Sequence, residues 1–385
     1  MVELTFTELF LAGAVLSAIL GTACWGGVLL LPWQPTSTCE QIEPKPEMRF
    51  NQKLGNITVL IPARNEAVYI QHTLENVKTQ GEGLQIIVID DQSADDTAQL
   101  AREKGARVIT GAPPPTGWSG KLWALEQGLR EVRTPYTLLL DADIALSPGI
   151  IATLREKAET KKHALVSLMA TPSMGNTIER LLMPAFIFFF KLLYPFGLAN
   201  KSDSCVAAAA GGCILVETRV LNAAGAFGSL HDALIDDCTL AARVKHAGNS
   251  TWIGLSHAAY SHRGYHKLET IWEMVSRTAY TQLNYSFILL MMCTIIMVTM
   301  FWFAPFTFLL LPDQKTYMIS ALAWTAMLLA YRPTLIYYHR SPFWVFALPV
   351  IGTLYLAMTW TSAMRYWRGE RARWKDRQYE SKTGS

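Results

Sequence analysis

The sequence predicts an α/β domain, a largely parallel sheet with crossover helices, in a chain that also carries transmembrane helices. Three observations predict it. Short β-rich apolar runs alternate with helix-spaced segments through the middle of the chain; three of those runs end in acidic or polar clusters; and long stretches without charge lie on both sides of that middle.

The charge-free stretches come first in the chain. Hydrophobic residues make up 51% of the 385 residues and charged residues only 17%, against roughly 25% charged in ordinary soluble domains. Residues 9–33, 285–311, 316–331 and 343–364 contain no Asp, Glu, Lys or Arg. A spanning helix needs about 20 apolar residues, so the first, second and fourth are long enough and the third is marginal. Residues 1–33 are therefore expected to be an N-terminal anchor, and 277–364 to hold two or three membrane segments. The opening Met1-Val2-Glu3-Leu4 has no basic region and the apolar run is too long for a cleaved signal peptide. Residues 34–52, with Pro35, Pro44 and Pro46, read as a tether. A basic tail occupies 365–385.

Residues 53–276 have the composition and length of one globular domain. Runs at 57–61, 85–90, 106–110 and 136–140 read as strands, and 66–79 and 93–104 as crossover helices. Ligands of such sheets gather at the carboxyl ends of the strands. Three of these ends carry Pro62-Ala63-Arg64-Asn65-Glu66, Asp90-Asp91 and Asp141-Ala142-Asp143, which should converge. Within 178–198, the apolar run 181–190 is too short to span a bilayer. Its Phe186, Phe188, Phe189 and Phe190 beside Lys191 and Tyr194 place it in the membrane interface, with a buried helix as the alternative.

The net charge of +3 and the lack of an aromatic-interleaved basic stripe exclude a nucleic-acid partner. The six cysteines form no CxxC pair and read as free thiols. Asp141-Ala142-Asp143, directly after a buried strand, offers carboxylates suited to Mg2+ or Mn2+ bound to phosphate oxygens. Asp96 or Ser93 is expected to cap the helix after Asp90-Asp91. Asp236-Asp237 opens another helical segment, where one carboxylate can serve structure while the other, Asp237, acts as a base. Gly117-Trp118-Ser119-Gly120-Lys121 is not a P-loop, because Pro115 and Leu122 stand where Gly and Ser or Thr are required. Lys121 can still meet a diphosphate as a point charge. Gly211-Gly212, after four alanines, permits close approach of a ligand to the backbone or a tight packing crossing. His257, His262 and His266 read as loop histidines, with His262 a further metal-ligand candidate.

With these residues placed, the chain resembles the family 2 inverting glycosyltransferases of GT-A fold, and among them most the hopanoid-associated membrane glycosyltransferases. The strings that carry the resemblance are VLIPARNE at 59–66, VIDDQS at 88–93, GWSGKLWA at 117–124, LDAD at 140–143, IDD at 235–237 and RTAYTQLNY at 277–285. The resemblance implies a Rossmann-like mixed sheet with helices on both faces. It implies that Pro62, Glu66 and Asp91 line a nucleotide pocket, with Asp91 accepting from the base. Lys121 and Asp141 would touch the nucleotide-sugar donor, Asp143 and Asp141 would hold the metal, and Asp237 would be the catalytic base. Asp236, Gly211, Gly212 and Arg277 would lie near the acceptor.

Two departures matter. Gln282 is not followed by the Arg-Trp of the processive relatives' Gln-x-x-Arg-Trp motif, which argues against a polymer synthase; Arg277 would replace part of it. Asp236 also stands where relatives often have Glu. A lipid acceptor at the membrane is the leading expectation, a polyprenyl phosphate the second, and a non-catalytic scaffold the third. The location implied is the inner (plasma) membrane, multi-pass, with the catalytic domain in the cytosol. Arg332 and Arg340, read as a loop, and the tail's six basic residues between Arg365 and Arg377 both belong inside. A single crossing by 343–364 cannot satisfy both, so a re-entrant or interfacial last segment, which Pro349 and Gly352 would permit, is the alternative.

Overall fold

A computed structural model of the chain describes residues 6–50, 52–230, 235–370, 373–374 and 377–378. The start of the anchor, Asn51 of the tether, Leu234 and most of the basic tail lie outside the described residues. Two compact units emerge. One comprises Cys39–Ser173 and Phe196–Gly264; the other comprises Met1–Thr38, Met174–Pro195 and Tyr265–Glu370. The sheet unit thus starts and ends earlier than 53–276, and residues 174–195 belong to the helical unit.

The sheet unit is built on eight strands: β1 (Ile57–Ala63), β2 (Gln85–Asp90), β3 (Arg107–Thr110), β4 (Tyr136–Leu140), β5 (Ile144–Leu146), β6 (Leu165–Thr171), β7 (Cys213–Glu217) and β8 (Thr251–Ser261). Their order is β3-β2-β1-β4-β7-β6-β8-β5. The first four are parallel; β7 runs antiparallel to both neighbours, β8 is parallel to β6, and β5 is antiparallel to β8. The sheet is mixed, as the resemblance implied. All of β1 is buried, as its uninterrupted apolar run requires of a strand covered on both faces.

Alternation along β1 divides the core into two layers. Val59 and Ile61 pack with Ile70 and Leu74 of helix Ile70–Lys78 and with Ile151 and Leu154 of helix Ile150–Lys161. Leu60 points the other way, to Leu122 and Leu125 of helix Gly120–Leu129 and Leu240 and Val244 of helix Asp236–His246. Gly128 lets the former helix lie close on the sheet, since a Cβ there would stand 2.6 Å from Ile89 Cδ1.

The expected helices at 66–79 and 93–104 begin later, as Ile70–Lys78 and Thr97–Glu103. Asn65 and Gln92 turn the chain first, with φ of 52° and 56°. Neither Asp96 nor Ser93 caps the second helix. Its Asp96 side chain makes no capping bond. Asp95 accepts instead from the Thr97 N–H at 3.1 Å and from the Ala67 N–H at 3.1 Å, and Ser93 Oγ accepts from the Asn65 N–H at 3.0 Å. The acidic residues after β2 therefore tie two strand-end turns together; burial pushes the Asp95 carboxyl up, but the Thr97 hydroxyl and the Ala67 and Thr97 N–H groups hold it below the usual carboxylate range.

Among the described residues, the helical unit holds four helices long and apolar enough to cross a membrane: Thr7–Leu30, Phe287–Leu309, Gln314–Tyr337 and Pro342–Trp367. Gly21 permits close contact with the Thr299 carbonyl, where a Cβ would overlap it. Arg332 falls inside the helix Gln314–Tyr337 and not in the loop that follows. The last segment is helical from Pro342 to Trp367, and Gly352 faces the Phe301 ring with no room for a Cβ.

The run 181–190 lies within helix Thr177–Leu193, opened by a capping box of Asn176 and Glu179. Phe188 is buried 5.1 Å from the Tyr331 ring, and the half-buried Phe189 lies 4.9 Å from Tyr355. Lys191 is buried and donates to the Ser37 carbonyl. Phe188 and Phe189 thus meet residues of the unit's other helices.

Candidate active site

Five chain segments meet at the carboxyl ends of β1 and β4. Ser119 Oγ accepts from the Leu122 N–H at 3.2 Å and so starts helix Gly120–Leu129 with Lys121 in its first turn. Lys121 Nζ lies 2.6 Å from Asp141 Oδ1. Burial pulls the Lys121 pKa down, but Asp141, Asp236 and Asp237 together lift it above its ordinary value. The ammonium is therefore charged at any physiological pH. Asp141 is itself raised, by burial first and by Asp143 and Asp236, with Lys121 opposing.

Asp237 stands in the first turn of helix Asp236–His246. Its Oδ2 accepts from the Gly211 N–H at 2.8 Å and its Oδ1 from the Cys238 N–H at 2.7 Å. Burial, and then repulsion from Asp236, push its pKa up to about 6, against the pull of those two N–H groups and Lys121. A carboxylate so poised gives and takes a proton near neutral pH.

Asp143 is held from another direction. Its Oδ2 receives Arg263 Nε at 2.9 Å and Ser261 Oγ at 3.2 Å. The same guanidinium donates through one terminal nitrogen to Glu66 Oε1 at 2.7 Å and Oε2 at 2.8 Å, and lies 4.9 Å from the Tyr69 ring centre. His262 donates its N–H to the Asp143 carbonyl at 2.9 Å. It lies half-buried in the irregular segment after β8: its ring stands edge-on 4.2 Å from His72, and its Nε2 is buried with no hydrogen-bond partner.

The residues expected from the sequence divide accordingly. Pro62, Lys121, Asp141, Gly211, Asp236 and Asp237 line one pocket. Glu66 and Asp143 share Arg263. Asp91 directly follows β2, only 1% exposed, its N–H on the Ala63 carbonyl at 2.8 Å. Gly212 serves packing, because a Cβ would meet Ile144 at 3.3 Å. Arg277 ends helix Leu268–Ser276 in the helical unit, exposed to solvent. Sequence reasoning missed Arg263 and Ser261; the polar cluster Ser261-His262-Arg263 would have marked a fourth strand end had β8 been recognised.

The donors suit a divalent cation. Mg2+ and Mn2+ at nucleotide sites take one or two carboxylates and complete their shells with phosphate oxygens and water. Asp143 and Asp141 offer carboxylates, and His262 an uncommitted ring nitrogen. Among the described residues no group of three or more His, Cys, Asp or Glu surrounds one point. The residues therefore fit a metal completed by a ligand's oxygens, not an all-protein cage.

Comparison with known proteins follows the same lines. Residues 58–222 match the model of Glycosyl transferase family 2, so this segment is a family 2 glycosyltransferase domain. A 4,4'-diaponeurosporenoate glycosyltransferase of Staphylococcus aureus is 38% identical over 98 residues, 25% of this chain and 26% of that protein. The chain thus matches about a quarter of the length of these curated relatives. In fold, the chain is similar to a mannosyltransferase from Pyrobaculum calidifontis solved in complex with GDP-Man and Mn2+, with a TM-score of 0.56 and 15% identity, covering 93% of this chain and 100% of that one. A glucosyl-3-phosphoglycerate synthase from Mycobacterium tuberculosis aligns over 59% of this chain and 78% of its own, at 20% identity and a TM-score of 0.41. The family match and the first of these structures establish a GT-A-like mixed sheet.

Proposed function

We propose that the chain is a metal-dependent inverting glycosyltransferase that moves a sugar from a nucleoside diphosphate sugar to a membrane lipid, with a hopanoid-related lipid as the acceptor class. The observation that carries the reading is the shared pocket of Lys121, Asp141 and Asp237, in which a carboxylate with its pKa near 6 faces a permanently charged ammonium. Asp237 takes the proton from the acceptor hydroxyl as that oxygen attacks the anomeric carbon. The bond from that carbon to the diphosphate breaks on the opposite face, inverting the configuration. Lys121 offsets the charge left on the departing nucleoside diphosphate. A divalent metal held by Asp143 and Asp141 would supply Lewis-acid neutralisation of the same leaving group.

Four apolar helices support a membrane acceptor, with the sheet unit in the cytosol at the inner (plasma) membrane. The name of the Staphylococcus relative, a diaponeurosporenoate glycosyltransferase, supports a lipid-like acceptor over a polymer. Pro62, Glu66 and Asp91 would flank the nucleotide, and Asp236 and Gly211 the acceptor. Mass spectrometry of lipid extracts from cells with and without the chain should reveal a glycosylated lipid present only in the former. Identical extracts would remove the lipid acceptor from the proposal.

Gly211 offers a local check. A Cβ there would sit 3.4 Å from Asp237 Oδ2 and 3.5 Å from Lys121 Nζ, ordinary contact distances. Gly211→Ala is therefore expected to retain near-normal turnover. Gly211→Val, whose methyl groups enter the space between base and ammonium, should lose about 100-fold in kcat, as measured by steady-state sugar transfer.

A further inference from the structure

We propose that Arg263 competes with the divalent cation for the Asp143 carboxylate and that Glu66 tethers the displaced guanidinium within the cleft, where it becomes a contact for the donor's diphosphate. The inference rests on the nucleotide-sugar reading and assigns a role to a residue which that mechanism does not use.

The geometry is that of a bridge. Arg263 Nε meets Asp143 Oδ2 at 2.9 Å, while a terminal nitrogen meets both oxygens of Glu66 at 2.7 and 2.8 Å. Glu66 is only 6% exposed and Asp143 is 15% exposed, whereas Arg263 is 32% exposed and opens toward solvent. The two ends of the bridge are unequal. Glu66 grips with both carboxylate oxygens from a buried position, and its backbone N–H is fixed on Thr97 Oγ1 at 2.8 Å. Asp143 shares one oxygen between Arg263 and Ser261.

A dication on Asp143 would stand a few ångströms from a guanidinium of like sign, in a partly buried place where such repulsion is weakly screened. The looser arm is the one that yields. Arg263 then keeps Glu66 and turns its remaining N–H donors outward, and a guanidinium fork matches phosphate oxygens. Lys121 is bound instead to Asp141, at the start of the same Asp141-Ala142-Asp143 triplet. Each carboxylate of the triplet therefore has its own cation, and the two cations would flank a bound diphosphate.

The test uses the purified full chain in detergent, with Mn2+ alone followed by electron paramagnetic resonance, and UDP or GDP at saturating Mn2+ followed by calorimetry. Arg263→Gln is expected to bind Mn2+ alone about tenfold more tightly, because its competitor is gone, and the nucleoside diphosphate about tenfold more weakly. Arg263→Lys keeps the charge without the fork that joins two carboxylates, so both shifts should have the same signs and be smaller. It also serves as the second variant should the glutamine form fail to fold. A variant that leaves both affinities unchanged, or weakens both together, overturns the role. If the wild type binds neither Mn2+ nor either nucleotide, it is the nucleotide-sugar reading itself that fails.

Discussion

Asp237→Asn is expected to lower kcat for sugar transfer by about 100- to 10,000-fold, the usual contribution of a positioned general base, with little change in the donor's KM. The amide keeps the shape and one oxygen acceptor, so one of the two backbone N–H groups on this side chain, Gly211 or Cys238, stays bonded. The wild-type pH profile carries the sign. With its pKa pushed up to about 6 by burial and Asp236, Asp237 is protonated and idle below that pH. Turnover should rise through pH 6 and then level off, and this limb should vanish in the asparagine variant. Stability runs the other way. A carboxylate raised in the folded state binds its proton more tightly there than in the unfolded chain, so this contribution is present at low pH and is lost as pH rises through about 6. Calorimetry should therefore find Asp237→Asn relatively more stable than wild type above pH 6.

Lys121→Met is the second large effect. Its ammonium, 2.6 Å from Asp141, also faces Asp236 and Asp237. Removing it should cost about 100- to 1,000-fold in kcat, as loss of one preorganised group facing developing charge does. It should also move the acid limb to higher pH, because Lys121 pulls the Asp237 pKa down. Lys121→Arg should recover the position of that limb while recovering turnover only in part, since the planar fork does not replace a compact ammonium. An acid limb that stays in place in Lys121→Met would separate Lys121 from the base.

The parts of this architecture legible in the sequence are those set by local pattern. β2 and β4 begin and end where their apolar runs do, because each is an inner strand of the sheet, largely buried and bounded by turn residues. The triplet Asp141-Ala142-Asp143 and the pair Asp236-Asp237 announced themselves as carboxylates at a strand end and a helix start. What escaped was set by distant pairing. β5 to β8 were not read as strands: β5 is three residues long, and β8 is crossed by Gly254 under the Trp252 ring. Arg263 depends on β8, and its partners lie 120 residues away at Asp143 and 197 away at Glu66. No local window joins them. Phe188 and Phe189 of 181–190 likewise meet Tyr331 and Tyr355, which arrive from the far end of the chain.

Transfer of label from a panel of nucleoside diphosphate sugars into the lipid fraction, by purified chain in lipid vesicles with Mn2+, tests the central claim most directly. The account predicts organic-soluble label with at least one donor, abolished by EDTA and by Asp237→Asn. Label that persists through both treatments, or a wild type that labels lipid from no donor, would contradict it.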